Sequence, residues 1–95
     1  MITNPAMIAN RVVCSAIKSD KGTLILGLRH FDPFMRQQIK LSPEQNWKTA
    51  EQGFVDNKGQ FLTREQAFVL AEQNGQIVRD CGTFHLKQLF SENLY

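Results

Sequence analysis

The chain has little of what most functional signatures are made of. Two cysteines in 95 residues, Cys14 and Cys81, are too few and too far apart to form a disulfide framework. With His30 and His85 they hold the atoms of a zinc site, but only Cys81 and His85 are close in sequence and no Cys-x-x-Cys pair occurs, so no metal is expected. No apolar run is long enough to cross a bilayer and no charged-plus-apolar leader is seen, which sets a reducing cytosol as the expected compartment and excludes a membrane partner. The 11 basic and 9 acidic side chains are interspersed rather than blocked, and the net charge of +2 gives no footprint for specific DNA or RNA binding. A glycine-rich phosphate loop and a Gly-x-Ser-x-Gly elbow are both missing, so the common signals of nucleotide hydrolysis and acyl transfer are absent. A nucleophilic cysteine with His30 and Asp32 exists on paper, yet nothing in the spacing places these groups together. The expectation is a protein that is not an enzyme and carries no cofactor.

What is present is an ordinary globular composition, 42% hydrophobic with seven phenylalanines, in a length that suits one domain over residues 1–95. So short a chain buries a small core, and a homodimer or higher homo-oligomer is expected to bury the remainder.

The most informative stretch runs from Gly53 to Gln66. Asn57-Lys58-Gly59 supplies residues that tolerate the positive φ angles of a tight turn, between strand-like Phe54-Val55 and Phe61-Leu62. Thr63 with Gln66 has the form of a capping box, which predicts a helix from Arg64 to about Asn74 with Gly75 as a left-handed C-cap. Upstream, Arg11 to Lys18 and Thr23 to Leu28 are β-rich and joined through Ser19-Asp20-Lys21-Gly22, the pattern of a hairpin. Leu24, Leu26 and Leu28 alternate and are expected on the core face, with Thr23, Ile25 and Gly27 opposite. Asp32-Pro33 opens a helix whose buried stripe is expected to hold Phe34, Met35 and Ile39. Ser42-Pro43-Glu44-Gln45 repeats the cap and predicts a short helix carrying Trp47 and Ala50. Residues 1–10 show no firm period and read as a strand or an arm, while the apolar residues up to Tyr95 argue for a docked C-terminus.

Five positions suit an anionic ligand with a flat ring. Arg64 sits at the positive end of a helix, where it either grips phosphate or pairs with an acid on the surface. Phe54, on a neighbouring strand, either stacks on a base or fills the core. Arg29, in Arg29-His30-Phe31-Asp32, stands at a strand end before a helix; the bland reading there is capping by Asp32 with Phe31 in the core. Arg79 and Lys87 flank a glycine-containing loop and either close over an anion or stay solvated.

The same residues carry a resemblance. Arg29-His30-Phe31-Asp32, Glu51-Gln52-Gly53-Phe54-Val55-Asp56, Phe61-Leu62-Thr63-Arg64-Glu65-Gln66-Ala67, Gly75-Gln76-Ile77 and the ending Leu89-Phe90-Ser91-Glu92-Asn93-Leu94-Tyr95 look like small phage proteins. From Arg11 onward the chain resembles the first type of phage anti-Thoeris signal sponge. That resemblance implies a small α+β protein, assembled as dimers or larger, that captures a cyclic ADP-ribose isomer without hydrolysing it. Related members also take up cyclic oligonucleotides. By position, Phe54 would stack on adenine, Thr63 and Arg64 would hold a phosphate, and Arg79 and Lys87 would complete the site.

The fold expected is α+β, an N-terminal antiparallel sheet packed against two or three short helices. The function expected is sequestration of a cyclic nucleotide-type immune signal. Its rivals are a phage accessory factor that binds a host or phage protein, and a small enzyme using His30.

Overall fold

Local sequence rules place most of the elements in the computed structural model, which describes residues 10–44, 46–79 and 86–94. The reading of residues 1–9, and those of Gln45, Cys81, His85 and Tyr95, lie outside the described residues. Strands β1 (Val12–Lys18) and β2 (Leu24–Gly27) form the expected hairpin, with Gly22 at φ 87 in its turn. Helix α1 (Pro33–Leu41) follows, then a single 3₁₀ turn (Trp47–Thr49), strands β3 (Glu51–Asp56) and β4 (Phe61–Thr63), helix α2 (Arg64–Gln73) and a second 3₁₀ turn (Ser91–Asn93). The four strands make one antiparallel sheet in the order β2-β1-β3-β4. The fold is therefore α+β, as the sequence predicts.

Pairing register explains which residues are buried. Ser15 and Ile17 share a face with their partners Phe54, Gly27 and Ile25, and both helices cover that face. Over one half, α2 packs Ala67, Phe68 and Ala71 onto Phe54 and Val12, joined by Leu89. Over the other half, Met35 of α1 and Trp47 close on Ile17 and Ile25. A register shift between Val12 and Cys14 is what brings Val12 to the helix side, leaving Val13 half exposed.

Three sequence expectations are corrected by this packing. Ile25, not Leu24, Leu26 and Leu28, is the buried residue of β2: Ile25 pairs with core residue Ile17, whereas Leu26 and Leu28 are 40% and 59% exposed. Gly27 shares the core face with Ile25 through its pairing with Ser15, and a Cβ there would come within 2.7 Å of an Asp32 carboxylate oxygen, so the position favours glycine. On α1, Met35 and Ile39 pack inward but Phe34 is 64% exposed. The segment after Ser42 forms only a 3₁₀ turn, since Ser42 ends α1 as its C-cap and the residue before Trp47, Asn46, is left-handed at φ 66. In the β3–β4 turn, positive φ falls on Gly59 alone, while the Asp56 carboxylate accepts from the N–H groups of Lys58 and Gln60, both at 2.9 Å.

Helix ends do further work. Thr63 and Gln66 form the expected reciprocal box at the start of α2. At its other end Gly75, at φ 64, and Gln76 donate to the carbonyls of Glu72 and Ala71, a Schellman closure. That closure aims Gln76 at β1, where its amide accepts from Val12 N–H at 3.0 Å and donates to Val12 carbonyl at 2.8 Å. Gln38 of α1 grips Leu26 of edge strand β2 in the same way. Each amide satisfies a backbone position that would otherwise invite another strand.

Candidate functional site

The candidate site forms where the strap 86–94 crosses the start of α2. Thr63 fixes that start, and Arg64, the first helical residue, turns its guanidinium onto the strap. One guanidinium nitrogen donates to the Leu89 carbonyl at 2.7 Å, the other to Gln52 Oε1 at 2.7 Å, and the group lies 4.4 Å from the centre of the Phe90 ring. Leu89 N–H returns a bond to the Arg64 carbonyl at 3.0 Å. Burial depresses the Arg64 pKa, an effect that the Glu92 and Glu65 carboxylates oppose.

Glu92 is the charge centre of the arrangement. Arg29 approaches it to 3.8 Å, an exposed pair worth little by itself. Arg29 is thus paired with a carboxylate whose charge also acts on Arg64, beside an aromatic ring at a helix N-terminus.

His30 lies beneath them. Its Nε2 is 2.8 Å from the Gly53 carbonyl, and because a carbonyl only accepts, Nε2 carries the proton. Its Nδ1 then takes the hydroxyl proton of Ser91, 3.1 Å away, and the ring meets Phe54 edge-on at 5.2 Å. Burial and the positive charge of Arg64 push its pKa below the usual histidine value, against the carbonyls of Gly53 and Ala16 and the Glu92 charge. A depressed histidine pKa contributes stability that is complete above the unfolded value, ~6.5. That stability is lost as pH falls through the lower, folded value. Melting temperature is therefore expected to drop as pH falls from ~6.5 through the folded value, and to drop less in His30→Gln, which cannot titrate; parallel slopes in thermal melts of the two proteins would remove His30 as the cause.

Of the sequence candidates, the structure brings Arg29, Thr63 and Arg64 together. Arg79 joins through its backbone: its carbonyl accepts from Asn93 at 3.0 Å, while its side chain is exposed. Lys87 turns its ammonium toward Phe68 at 5.7 Å. Phe54 departs from the stacking expectation. Strand alternation points its ring under α2 and Leu89, where it is fully buried and keeps no face for a base. Sequence reasoning missed Gln52, Phe90, Ser91 and Glu92 as site residues, although the Leu89-to-Tyr95 ending was a visible signal.

Neither Ser91, which the structure sets beside His30, nor the cysteine nucleophile considered from the sequence gains support from the geometry. Ser91, the partner of His30, is only 3% exposed. Burial, reinforced by the negative charge of Asp32 against a bond from Gly27, raises the Cys14 pKa and so disfavours its thiolate. Asp32 itself acts as a cap: burial pushes its pKa up, but N–H groups of Met35, Arg29, Leu28 and Phe34 outweigh this and hold it low. Among the described residues no group of three or more metal-ligating side chains occurs, and no helix is long and apolar enough to cross a membrane.

The segment that carries all these contacts, from Arg11 onward, coincides with a family match: the model of the phage T4 y16D protein matches residues 11–95. The chain belongs to the phage T4 y16D family. No curated protein and no solved structure matches it. As a y16D-family member the chain is a phage protein, and its family match covers both the Arg64 cluster and the strap that completes it.

Proposed function

We propose that this y16D-family protein is a counter-defence sponge: in the host cytoplasm it binds a cyclic ADP-ribose-type signal and withholds it without cleaving it. One observation carries the reading. Arg29 pairs with Glu92 at 3.8 Å, and the Arg64 guanidinium at the N-terminus of α2 lies over the Phe90 ring within the electrostatic reach of the same carboxylate, an arrangement whose chemistry fits a phosphate joined to a flat base. In this reading the Glu92 carboxylate stands where a phosphate would bind, and ligand entry exchanges it for the ligand's oxygens. The resemblance of the Gly53-to-Ala67 block and the Ser91-to-Tyr95 ending to anti-Thoeris sponges supports the same ligand class, with cyclic oligonucleotides as a further candidate. Phe90 offers the ring that buried Phe54 does not, Lys87 lies on the strap, and Arg79 meets it through its carbonyl.

Arg64→Gln tests this directly. Losing a charge-assisted phosphate contact is expected to weaken binding of the cyclic ADP-ribose isomer by about tenfold or more in calorimetry. Unchanged affinity, with a normal circular dichroism spectrum, would take Arg64 out of the site.

The functional unit in this proposal is a homodimer or larger. Leu26, Leu28 and Phe34, 40%, 59% and 64% exposed, line one apolar groove with Cys14, more than a chain this short is expected to leave in water. Light scattering is expected to report a dimer or higher; a monomer at micromolar concentration that still binds ligand would contradict it. The same groove favours the second reading, a phage accessory factor that docks on another protein.

A further inference from the structure

A cleft over the α1 half of the sheet shares no lining residue with the Arg64 cluster. It lies between the end of α1 and the Trp47–Thr49 turn and has a volume of about 780 Å³, inside the roughly 300–1,000 Å³ range of small-molecule sites. Its floor is apolar, made by Phe31, Ile39 and Trp47. Its mouth is cationic: Lys40 and Lys48 are exposed, and neither makes an ion pair among the described residues.

The polar groups around the floor are already committed elsewhere. Trp47 Nε1 donates to the Glu44 carbonyl at 3.2 Å and the indole is 5% exposed, so it backs the cleft while the half-buried Phe31 and Ile39 supply most of its apolar surface. The Glu44 carboxylate, the acid of the lining, accepts from the Ser19 hydroxyl at 3.0 Å. What remains unsatisfied is an apolar floor beside two cations.

The backbone is unusual at the same place. Phe31 at φ 58 and Asn46 at φ 66 are two of the three non-glycine residues with positive φ among the described residues, and both line this cleft. An aromatic side chain rarely adopts that conformation, which persists only where surrounding contacts impose it. Here Asp32 caps α1 immediately after Phe31, and the Phe31 N–H donates to Met35 Sδ at 3.0 Å. The result places the Phe31 ring in the cleft rather than wholly in the core.

We propose that this cleft is a second ligand site, for a flat aromatic group that carries an anion, of the nucleoside monophosphate class. The base lies against Phe31 and Ile39, over the exposed edge of Trp47, and Lys40 and Lys48 hold the phosphate. Stacking and charge-assisted contacts each favour that pairing, and the lining offers nothing to cleave it.

Trp47 is the chain's single tryptophan, so its emission reports this cleft. Titrating the protein with adenosine 5′-monophosphate at low ionic strength is expected to quench Trp47 fluorescence saturably. Adenosine alone should bind more weakly, and the double variant Lys40→Glu, Lys48→Glu should lose about tenfold or more in affinity, the scale of two lost phosphate contacts. The isotherm should be the same in Arg64→Gln. No saturable quench into the millimolar range, equal affinity in the double-lysine variant, or loss of the signal in Arg64→Gln would each overturn the proposal. That last result would assign the binding to the Arg64 cluster, so the two sites fail separately.

Discussion

Phe54→Ala is expected to lose about 3–5 kcal/mol of folding stability, through lost burial and the cavity left behind. Phe54 is fully buried at the centre of the larger core cluster, between Val12 of β1, Ala67, Phe68 and Ala71 of α2, and Leu89 of the strap. Its cross-strand partners Ser15 and Leu62 flank it on the neighbouring strands β1 and β4. Because three separate elements rest on this ring, the cavity cannot be closed by one side chain moving. A domain of ordinary stability, about 5–15 kcal/mol, would be left marginal. Denaturant unfolding of wild type and variant measures the loss directly. A loss under about 1 kcal/mol would show that the ring is not the core residue described, and would reopen its role as a stacking surface. Phe54→Trp serves as the companion: in a filled core it should cost about 1–3 kcal/mol by overpacking, whereas an open stacking face would accept it.

Gly53→Ala is expected to be similarly damaging although it adds one methyl group. A Cβ at Gly53 would lie 2.2 Å from the Leu62 carbonyl oxygen and 2.5 Å from the Phe61 ring. The first of these is backbone and cannot rotate away. β3 and β4 would have to separate, and β4 runs straight into the Thr63 cap, so the start of α2 and the position of Arg64 would shift with them. The Gly53 carbonyl also fixes the His30 tautomer, so the disturbance reaches Ser91 through that ring. We expect a loss at or above the upper end of the overpacking range, about 3 kcal/mol, together with weakened ligand capture. Gly59→Ala is the control: nothing lies within 4 Å of its Cβ, and only its φ of 79 is strained, so it should cost less, about 1 kcal/mol. Equal melting temperatures for Gly53→Ala and wild type would contradict the close approach of the two strands.

The parts of this fold that were legible in the sequence are those fixed by neighbours a few residues away. Thr63 with Gln66, Asp32 with Pro33, and Gly75 after α2 each satisfy helix-end groups locally, and each appears where the spacing predicts. Side-chain orientation in β2 was not legible in the same way. Three alternating leucines look like a core face, but the pairing of Ile25 with Ile17 and the intrusion of Asp32 over Gly27 decide the matter, and both are tertiary. Phe34 fails for a related reason: α1 packs through Met35 and Ile39, and Phe34 falls off that stripe into solvent. For the candidate site, Arg64 could be placed from its cap alone. Gln52, Phe90 and Glu92 could not, because they reach the guanidinium only when the strap folds back across 25 or more residues of sequence from Arg64 or when β3 aligns beside it.

The proposed sponge activity is most directly tested by capture and release. The protein is incubated with a cyclic ADP-ribose isomer, separated from free ligand, heat-denatured, and the supernatant is analysed by mass spectrometry. The account predicts depletion of the ligand from solution and recovery of the same intact molecule after heating. Recovery of a cleaved or altered product would make the protein an enzyme, and no depletion at all would contradict the sponge and favour a protein-docking role for the Leu26, Leu28 and Phe34 groove.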